Sequence, residues 1–69
     1  MDEIYLRDEF IKLGQALKLA GLVMSGADAK EVIINGCVKL NGETEVRRGK
    51  KVYEGDIIEY DGKKVHVCR

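Results

Sequence analysis

The spacing of the apolar residues changes at Gly36, and this change constrains the fold more than any other feature of the sequence. Before Gly36, apolar side chains recur at helical intervals. After it, short apolar runs alternate with polar residues and are separated by turn sequences such as Asn41-Gly42 and Asp61-Gly62. A period near 3.6 is typical of an amphipathic helix and a period of two of a half-buried strand. The helical pattern before Gly36 and the strand pattern after it predict an α+β fold with helices followed by strands.

Two short helices are predicted in the first half of the chain. The first spans roughly residues 13–20 and ends at Gly21; its apolar face consists of Leu13, Ala16, Leu17 and Ala20. The second begins at a capping box over residues 25–28 and ends at Asn35-Gly36; its buried stripe consists of Ala29, Val32 and Ile33. The connection between them is short, so the helices should pack against each other.

A small antiparallel sheet of about four to five strands is predicted for the remainder. Asn41-Gly42 between residues 37–40 and 43–46 is a strong hairpin signal, because both turn residues tolerate a positive φ. Two more strands are expected over residues 56–60 and 63–67, and a short one near residues 3–7. Residues 10–11 are either a second extended piece or the lead-in to a helix.

The composition allows one domain over residues 1–69 and excludes several classes of function. No apolar run approaches the 18 or so residues that span a bilayer, and the acidic start is unlike a secretory signal, so a cytoplasmic monomer is expected. No catalytic motif is present, which argues against an enzyme, a cofactor or a small-molecule substrate.

Cys37 and Cys68 are expected to be reduced, and with His66 they lack the spacing and the fourth ligand of structural zinc. His66 is expected on the solvent face.

A basic cluster at residues 47–51 is the strongest functional signal. Four of the twelve basic residues of a chain with zero formal net charge fall within these five positions: Arg47, Arg48, Lys50 and Lys51, with Gly49 between them. Residues 46–52 contain no acid, so we expect an uncompensated positive loop that contacts phosphates of RNA. Lys30 and Lys39 are weaker candidates.

The start of the second helix is a further candidate with two interpretations. Ser25 and Gly26 precede free backbone N–H groups at the positive end of the helix dipole, which can hold a phosphate. Asp28 in the same turn would partly neutralise that field, so a purely structural cap is equally consistent with the sequence.

The ordered set of motifs resembles the S4 RNA-binding domain, named after small-ribosomal-subunit protein four. The resemblance covers residues 13–60 and in particular suggests the short stand-alone bacterial members. It rests on Leu-Gly-Gln-Ala-Leu-Lys-Leu-Ala-Gly, Ser-Gly-Ala-Asp-Ala-Lys, Gly-Cys-Val-Lys-Leu-Asn-Gly, Arg-Arg-Gly-Lys-Lys and Glu-Gly-Asp-Ile-Ile-Glu-Tyr.

This resemblance implies an αL motif of two packed helices on a small sheet, which presents a basic face to structured RNA such as ribosomal or transfer RNA. The implied face includes Ser25, Gly26, Lys30, Lys39, Asn41, Gly42, Arg47, Arg48, Lys50 and Lys51. Many members carry arginines at the start of the second helix, where this chain has Ser-Gly-Ala-Asp. The departure shifts the expected phosphate binding toward residues 47–51. The resemblance suggests a role in ribosome assembly or translation, with RNA bound mainly through phosphates.

Two alternatives come from other classes. A β-grasp sulfur carrier shares the Val-Lys-Leu-Asn-Gly-Glu pattern, but such carriers need a C-terminal Gly-Gly and this sequence ends Val67-Cys68-Arg69. A protein-interaction module would instead use the acidic N-terminal edge to contact a basic partner.

Overall fold

The computed structural model describes residues 2–69, which form two helices and seven strands. The helices are α1 (Leu13–Leu19) and α2 (Gly26–Ile34). The strands are β1 (Asp2–Tyr5), β2 (Phe10–Lys12), β3 (Val38–Leu40), β4 (Glu43–Thr44), β5 (Lys51–Tyr53), β6 (Ile57–Tyr60) and β7 (Lys63–Cys68). Within these residues, no helix is long and apolar enough to cross a membrane.

The strands form two separate sheets. Five of them lie in the order β1-β7-β6-β3-β4, and β2 and β5 make a two-stranded ribbon. The pairs within the larger sheet are antiparallel except β1 with β7, which is parallel and sets Glu3 opposite His66. The predicted α+β class with two helices on a sheet is confirmed. The sheet is mixed rather than wholly antiparallel, because the first strand pairs with the last.

One hydrophobic core lies between the helices and the inner faces of the sheets. Period-two alternation turns Val65 and Val67 inward and leaves His66 half-exposed, as expected from the sequence. The fully or almost fully buried apolar residues are Ile4, Leu13, Ala16, Leu17, Ala29, Ile33, Val38, Val52, Ile58, Val65 and Val67. Every element except β2 and β4 contributes to this list, including β5, which the sequence did not reveal.

The transition from helices to strands occurs where the periodicity predicts. Gly36 has φ 77°, and its N–H donates to the Ile33 carbonyl while the Cys37 N–H donates to Val32. This is a Schellman motif, which needs a left-handed residue that glycine adopts without strain. The β3–β4 hairpin follows with Asn41 at φ 53° and Gly42 at φ 85°, both positive as a type I′ turn requires.

The ribbon of β2 and β5 connects the N-terminal segment to the basic cluster. β2 runs directly into α1, so Phe10 and Ile11 are an extended piece that leads into the helix. Its partner β5 begins at Lys51. The prediction that residues 47–51 form a loop was therefore wrong for Lys51, which is the first residue of a strand.

Candidate nucleic-acid interface

A basic concavity lies where α1, the start of α2 and residues 48–49 meet. It has a volume of about 320 Å³ and is lined by Lys12, Gly14, Gln15, Lys18, Gly26, Ala29, Arg48 and Gly49. We call it the basic pocket. Three of its lining residues are cationic and none is acidic. A concave surface with one sign of charge concentrates the field toward an anion.

Backbone hydrogen bonds hold residues 48–50 against the first turn of α1. The Leu13 N–H donates to the Lys50 carbonyl at 2.9 Å, and the Gly14 N–H donates to the Arg48 carbonyl at 3.1 Å. The first N–H groups of a helix have no partner within the helix, and Lys12 at the N-cap makes no side-chain cap. The loop thus supplies the cap of α1, and the helix fixes the position of Arg48.

Gly14 allows the Arg48 side chain to lie across the start of α1. A Cβ atom at Gly14 would stand 2.8 Å from Arg48 Cγ, closer than real Cβ atoms come to other carbons. Only glycine leaves this space open. The position of Arg48 in the basic pocket therefore depends on the absence of a side chain at residue 14.

The N-terminus of α2 forms another wall of the basic pocket through Gly26. The Ser25 hydroxyl oxygen accepts a hydrogen bond from the Asp28 N–H at 3.1 Å, so the predicted cap is present on one side. The Asp28 side chain lines a different groove with Val23 and Met24. The positive end of the helix therefore faces the basic pocket while its acidic residue lines another surface.

Arg47 and Lys50 lie on the other side of the loop, in a concavity shared with residues 40–45 of the hairpin. Arg47 Nε and Nη2 donate to the Glu45 carboxylate at 2.9 Å and 3.0 Å, and its backbone N–H donates to the same group at 3.1 Å. These bonds lower the pKa of the Glu45 carboxyl to about 2 and raise the pKa of Arg47. The expectation that this charge is uncompensated is wrong for Arg47, because Glu45 lies just before the acid-free window.

The other predicted residues are spread over the hairpin and α2. Asn41 has a structural role: its amide donates to Asp56 at 3.0 Å and its carbonyl oxygen accepts from the Ile57 N–H at 2.8 Å. Gly42 completes the turn. Lys39 lies on the outer face of the sheet, opposite Glu59 and Thr44 on the neighbouring strands. Lys30 is exposed one helical turn after Gly26.

Lys51 extends the basic surface along the ribbon. It lies directly opposite Lys12 in the β2–β5 register, and its ammonium is 4.8 Å from the centre of the Phe10 ring. Phe10 in turn contacts Tyr53, with ring centroids 5.9 Å apart. Like charges opposite each other destabilise a strand pair, so the pairing of Lys12 with Lys51 favours the presence of an anion.

The basic pocket and its surroundings therefore contain both residues that were predicted from the sequence and residues that were not. Arg48 and Gly26 come together, with Lys30 and Lys51 close by. Lys12, Gln15 and Lys18 were missed because they are not clustered in sequence. Their three-residue spacing, away from the apolar face of α1, was the available signal.

Comparisons with known proteins match nearly the whole chain. A family model described as S4 domain matches residues 4–68. RlbA of Bacillus subtilis (strain 168), named as a probable ribosome maturation protein, is 44% identical over 59 residues, which are 86% of this chain and 83% of RlbA. YbcJ of Escherichia coli (strain K12), provisionally named an RNA-binding protein, is 39% identical over 57 residues, which are 83% of this chain and 81% of YbcJ.

A solved structure agrees with the fold described above. The solution structure of YbcJ from E. coli is reported to reveal an αL motif involved in RNA-binding. It matches with a TM-score of 0.77 and 34% sequence identity, and covers 100% of this chain and 89% of the YbcJ chain.

Proposed function

The chain belongs to the S4 domain family, and we propose that it is an RNA-binding module that holds phosphates of structured RNA in the basic pocket. One observation carries this proposal: Lys12, Lys18 and Arg48 converge on the N-terminus of α2 in a pocket without an acidic lining residue. Fixed cations beside free backbone N–H groups are the usual protein ligands of a phosphate.

The surroundings of the basic pocket supply a wider binding surface. Lys51 and Lys30 lie beside it, and a bound phosphate would offset the repulsion between Lys12 and Lys51. On the hairpin side, Arg47, Lys50, Lys39 and the Asn41-Gly42 turn form a weaker edge of the proposed face. Their contribution is smaller because Glu45 and Glu59 lie next to Arg47 and Lys39. This arrangement favours recognition of phosphate positions over base sequence.

The names of the relatives narrow the proposed target. RlbA is named for ribosome maturation and YbcJ for RNA binding. We therefore propose ribosomal RNA in a maturing particle as the target, with transfer RNA as the alternative, and a monomeric cytoplasmic protein that binds without catalysis. The family match and the αL fold give no support to the β-grasp carrier or to the protein-interaction module.

Binding should be measured by fluorescence anisotropy on structured RNA at several salt concentrations. If about four phosphates are engaged, the slope of log K against log salt should be about −3. Lys18→Glu should weaken binding about tenfold or more, because it reverses a charge in the basic pocket. Lys64→Glu is the matched control: Lys64 is exposed on the outer face of the sheet, and its reversal should change affinity by about twofold or less.

Two results would contradict the proposal. One is affinity that does not depend on salt, since counterion release must accompany phosphate binding. The other is an equal loss in Lys18→Glu and Lys64→Glu, which would indicate general charge attraction rather than a site. Association with ribosomal particles that survives nuclease treatment would favour a protein partner instead.

A further inference from the structure

Three side chains with metal-binding atoms meet on the outer face of the larger sheet, away from the basic pocket. One ligand atom each from Glu3, His66 and Cys68 lies within 4.8 Å of the other two. Cys68 Sγ is 3.5 Å from Glu3 Oε2 and 3.9 Å from His66 Nδ1. We call these residues the β1–β7 cluster.

The parallel pairing of β1 with β7 creates the β1–β7 cluster. Its register places Glu3 opposite His66 and Tyr5 opposite Cys68. Alternation along β7 turns Val65 and Val67 into the core and directs His66 and Cys68 to the same outer face. Cys37, Cys68 and His66 alone lack the spacing of a zinc site, which is why zinc was not expected from the sequence. Glu3 supplies a third ligand that becomes visible only through the long-range strand pairing.

We propose that Glu3, His66 and Cys68 bind one divalent metal ion of the zinc class. In a tetrahedral zinc site with normal bond lengths, the ligand atoms stand about 3.4–3.6 Å apart. The 3.5 Å and 3.9 Å separations from Cys68 Sγ are close to these distances, and the Glu3 and His66 ligand atoms lie within 4.8 Å of each other, so side-chain rotation can complete the geometry. A thiolate with an imidazole selects zinc, cobalt or nickel over magnesium and calcium, which prefer oxygen ligands. Three protein ligands leave the fourth position for water.

The neighbouring residues support this arrangement. The Tyr5 hydroxyl donates to Glu3 Oε1 at 3.1 Å, which orients the carboxylate so that Oε2 faces Cys68. Ile57 lies opposite His66 on β6 and is half-buried, so it gives the β1–β7 cluster an apolar side. Binding forms a sulfur–metal bond and releases the Cys68 thiol proton to solvent. The ion would connect β1 to β7 and would contact none of the residues that line the basic pocket.

The test is titration of the untagged, reduced protein with Zn²⁺ by isothermal calorimetry, with Co²⁺ as a spectroscopic probe. We expect one ion per chain and, for cobalt, a thiolate charge-transfer band with the visible spectrum of a four-coordinate ion. At a zinc concentration one hundred times Kd, Tm should rise by about 10–20 °C, because the ion binds only the folded chain. Chelator should reverse both effects.

Variants distinguish this site from adventitious binding. Cys68→Ser and His66→Gln should lose the cobalt band and the shift in Tm, and Glu3→Gln should weaken binding at least tenfold. Cys37→Ser is the matched control, since Cys37 is exposed and outside the β1–β7 cluster, and it should bind as the original chain does. All four side chains are at least partly exposed, and circular dichroism checks that each variant folds. No zinc-dependent shift in the original chain, retention of the band in folded His66→Gln, or its loss in Cys37→Ser would overturn the proposal.

Discussion

Arg47 and Arg48 are adjacent in sequence but lie in different chemical environments. Arg48 lines an acid-free pocket against α1 and α2, whereas the Arg47 guanidinium forms two hydrogen bonds with Glu45 on the hairpin side. A turn begins at Arg47, whose carbonyl accepts a hydrogen bond from the Lys50 N–H at 3.2 Å, and the two arginines line different concavities on either side of it. A charge cluster in a sequence is therefore not necessarily a charge cluster in space.

The largest effect expected from this difference is on RNA affinity. Arg48→Glu should weaken binding about 10- to 100-fold, because it removes a charge-assisted hydrogen bond and places an acid in the basic pocket. Arg47→Glu should cost about threefold, since Glu45 already offsets that arginine. Anisotropy titrations of both variants at one salt concentration give the comparison. Equal losses would show that the two sides of the loop bind RNA alike.

A smaller effect is expected when Arg48 is displaced rather than removed. In Gly14→Ala, the new Cβ would overlap Arg48 Cγ, so the side chain must leave its position across α1. RNA affinity should fall about three- to tenfold. This loss is smaller than in Arg48→Glu, because the arginine is moved but its charge is kept. In an Arg48→Ala background, the same change should have little further effect. A double-mutant cycle measures this coupling, and fully additive losses would exclude the proposed role of Gly14.

The smallest change in affinity should come from removing the Glu45 charge that pairs with Arg47. Glu45→Gln removes the charge that holds the guanidinium, whose side chain is 68% exposed and free to turn toward RNA. Binding should strengthen about two- to threefold at low salt and less at high salt, since exposed charges are screened. Glu43→Gln, at another acid lining the same hairpin-side concavity, is the control for a general change in net charge.

The Arg47–Glu45 pair also predicts a titration. Because the folded-state pKa of Glu45 is about 2, below its ordinary 4.5, the pair adds stability at pH values above 4.5. That contribution decreases as the pH falls below 4.5 and is lost as the pH falls through about 2. Carbon-detected NMR of the Glu45 carboxyl should give a midpoint near 2, and Arg47→Ala should return it toward 4.5. A midpoint that is the same in both proteins would mean that the ion pair does not form in solution.

The elements that the sequence predicted well are those determined by local interactions. The Asn41-Gly42 hairpin and the end of α2 at Gly36 depend on the φ preferences of one or two residues. The β2–β5 ribbon was not predicted, because three-residue strands containing lysines have no clear period and their pairing depends on contacts distant in sequence. The parallel register of β1 with β7 is hidden for the same reason.

The candidate site divides in a similar way. Arg48 and the start of α2 were identified from charge density and capping residues, both of which are local signals. Lys12 and Lys18 were not, because the fold brings them to Arg48 from a distant part of the chain. Glu45 was overlooked because it lies one residue outside the acid-free window. Both of its carboxylate oxygens accept hydrogen bonds from Arg47 and offset the positive charge of that residue. The amide of Asn41 also anchors β6, a structural role that the sequence did not predict.

The cap that the loop provides to α1 has a consequence for the order of folding. α1 has seven residues, and an isolated helix of that length is marginal in water. The carbonyls that accept from Leu13 and Gly14 belong to Lys50 and Arg48, which are synthesised much later. During translation, α1 should therefore not form a stable helix until the chain beyond β5 has emerged from the ribosome. The surface proposed to bind RNA would thus be completed late, after most of the chain has left the machinery that makes it.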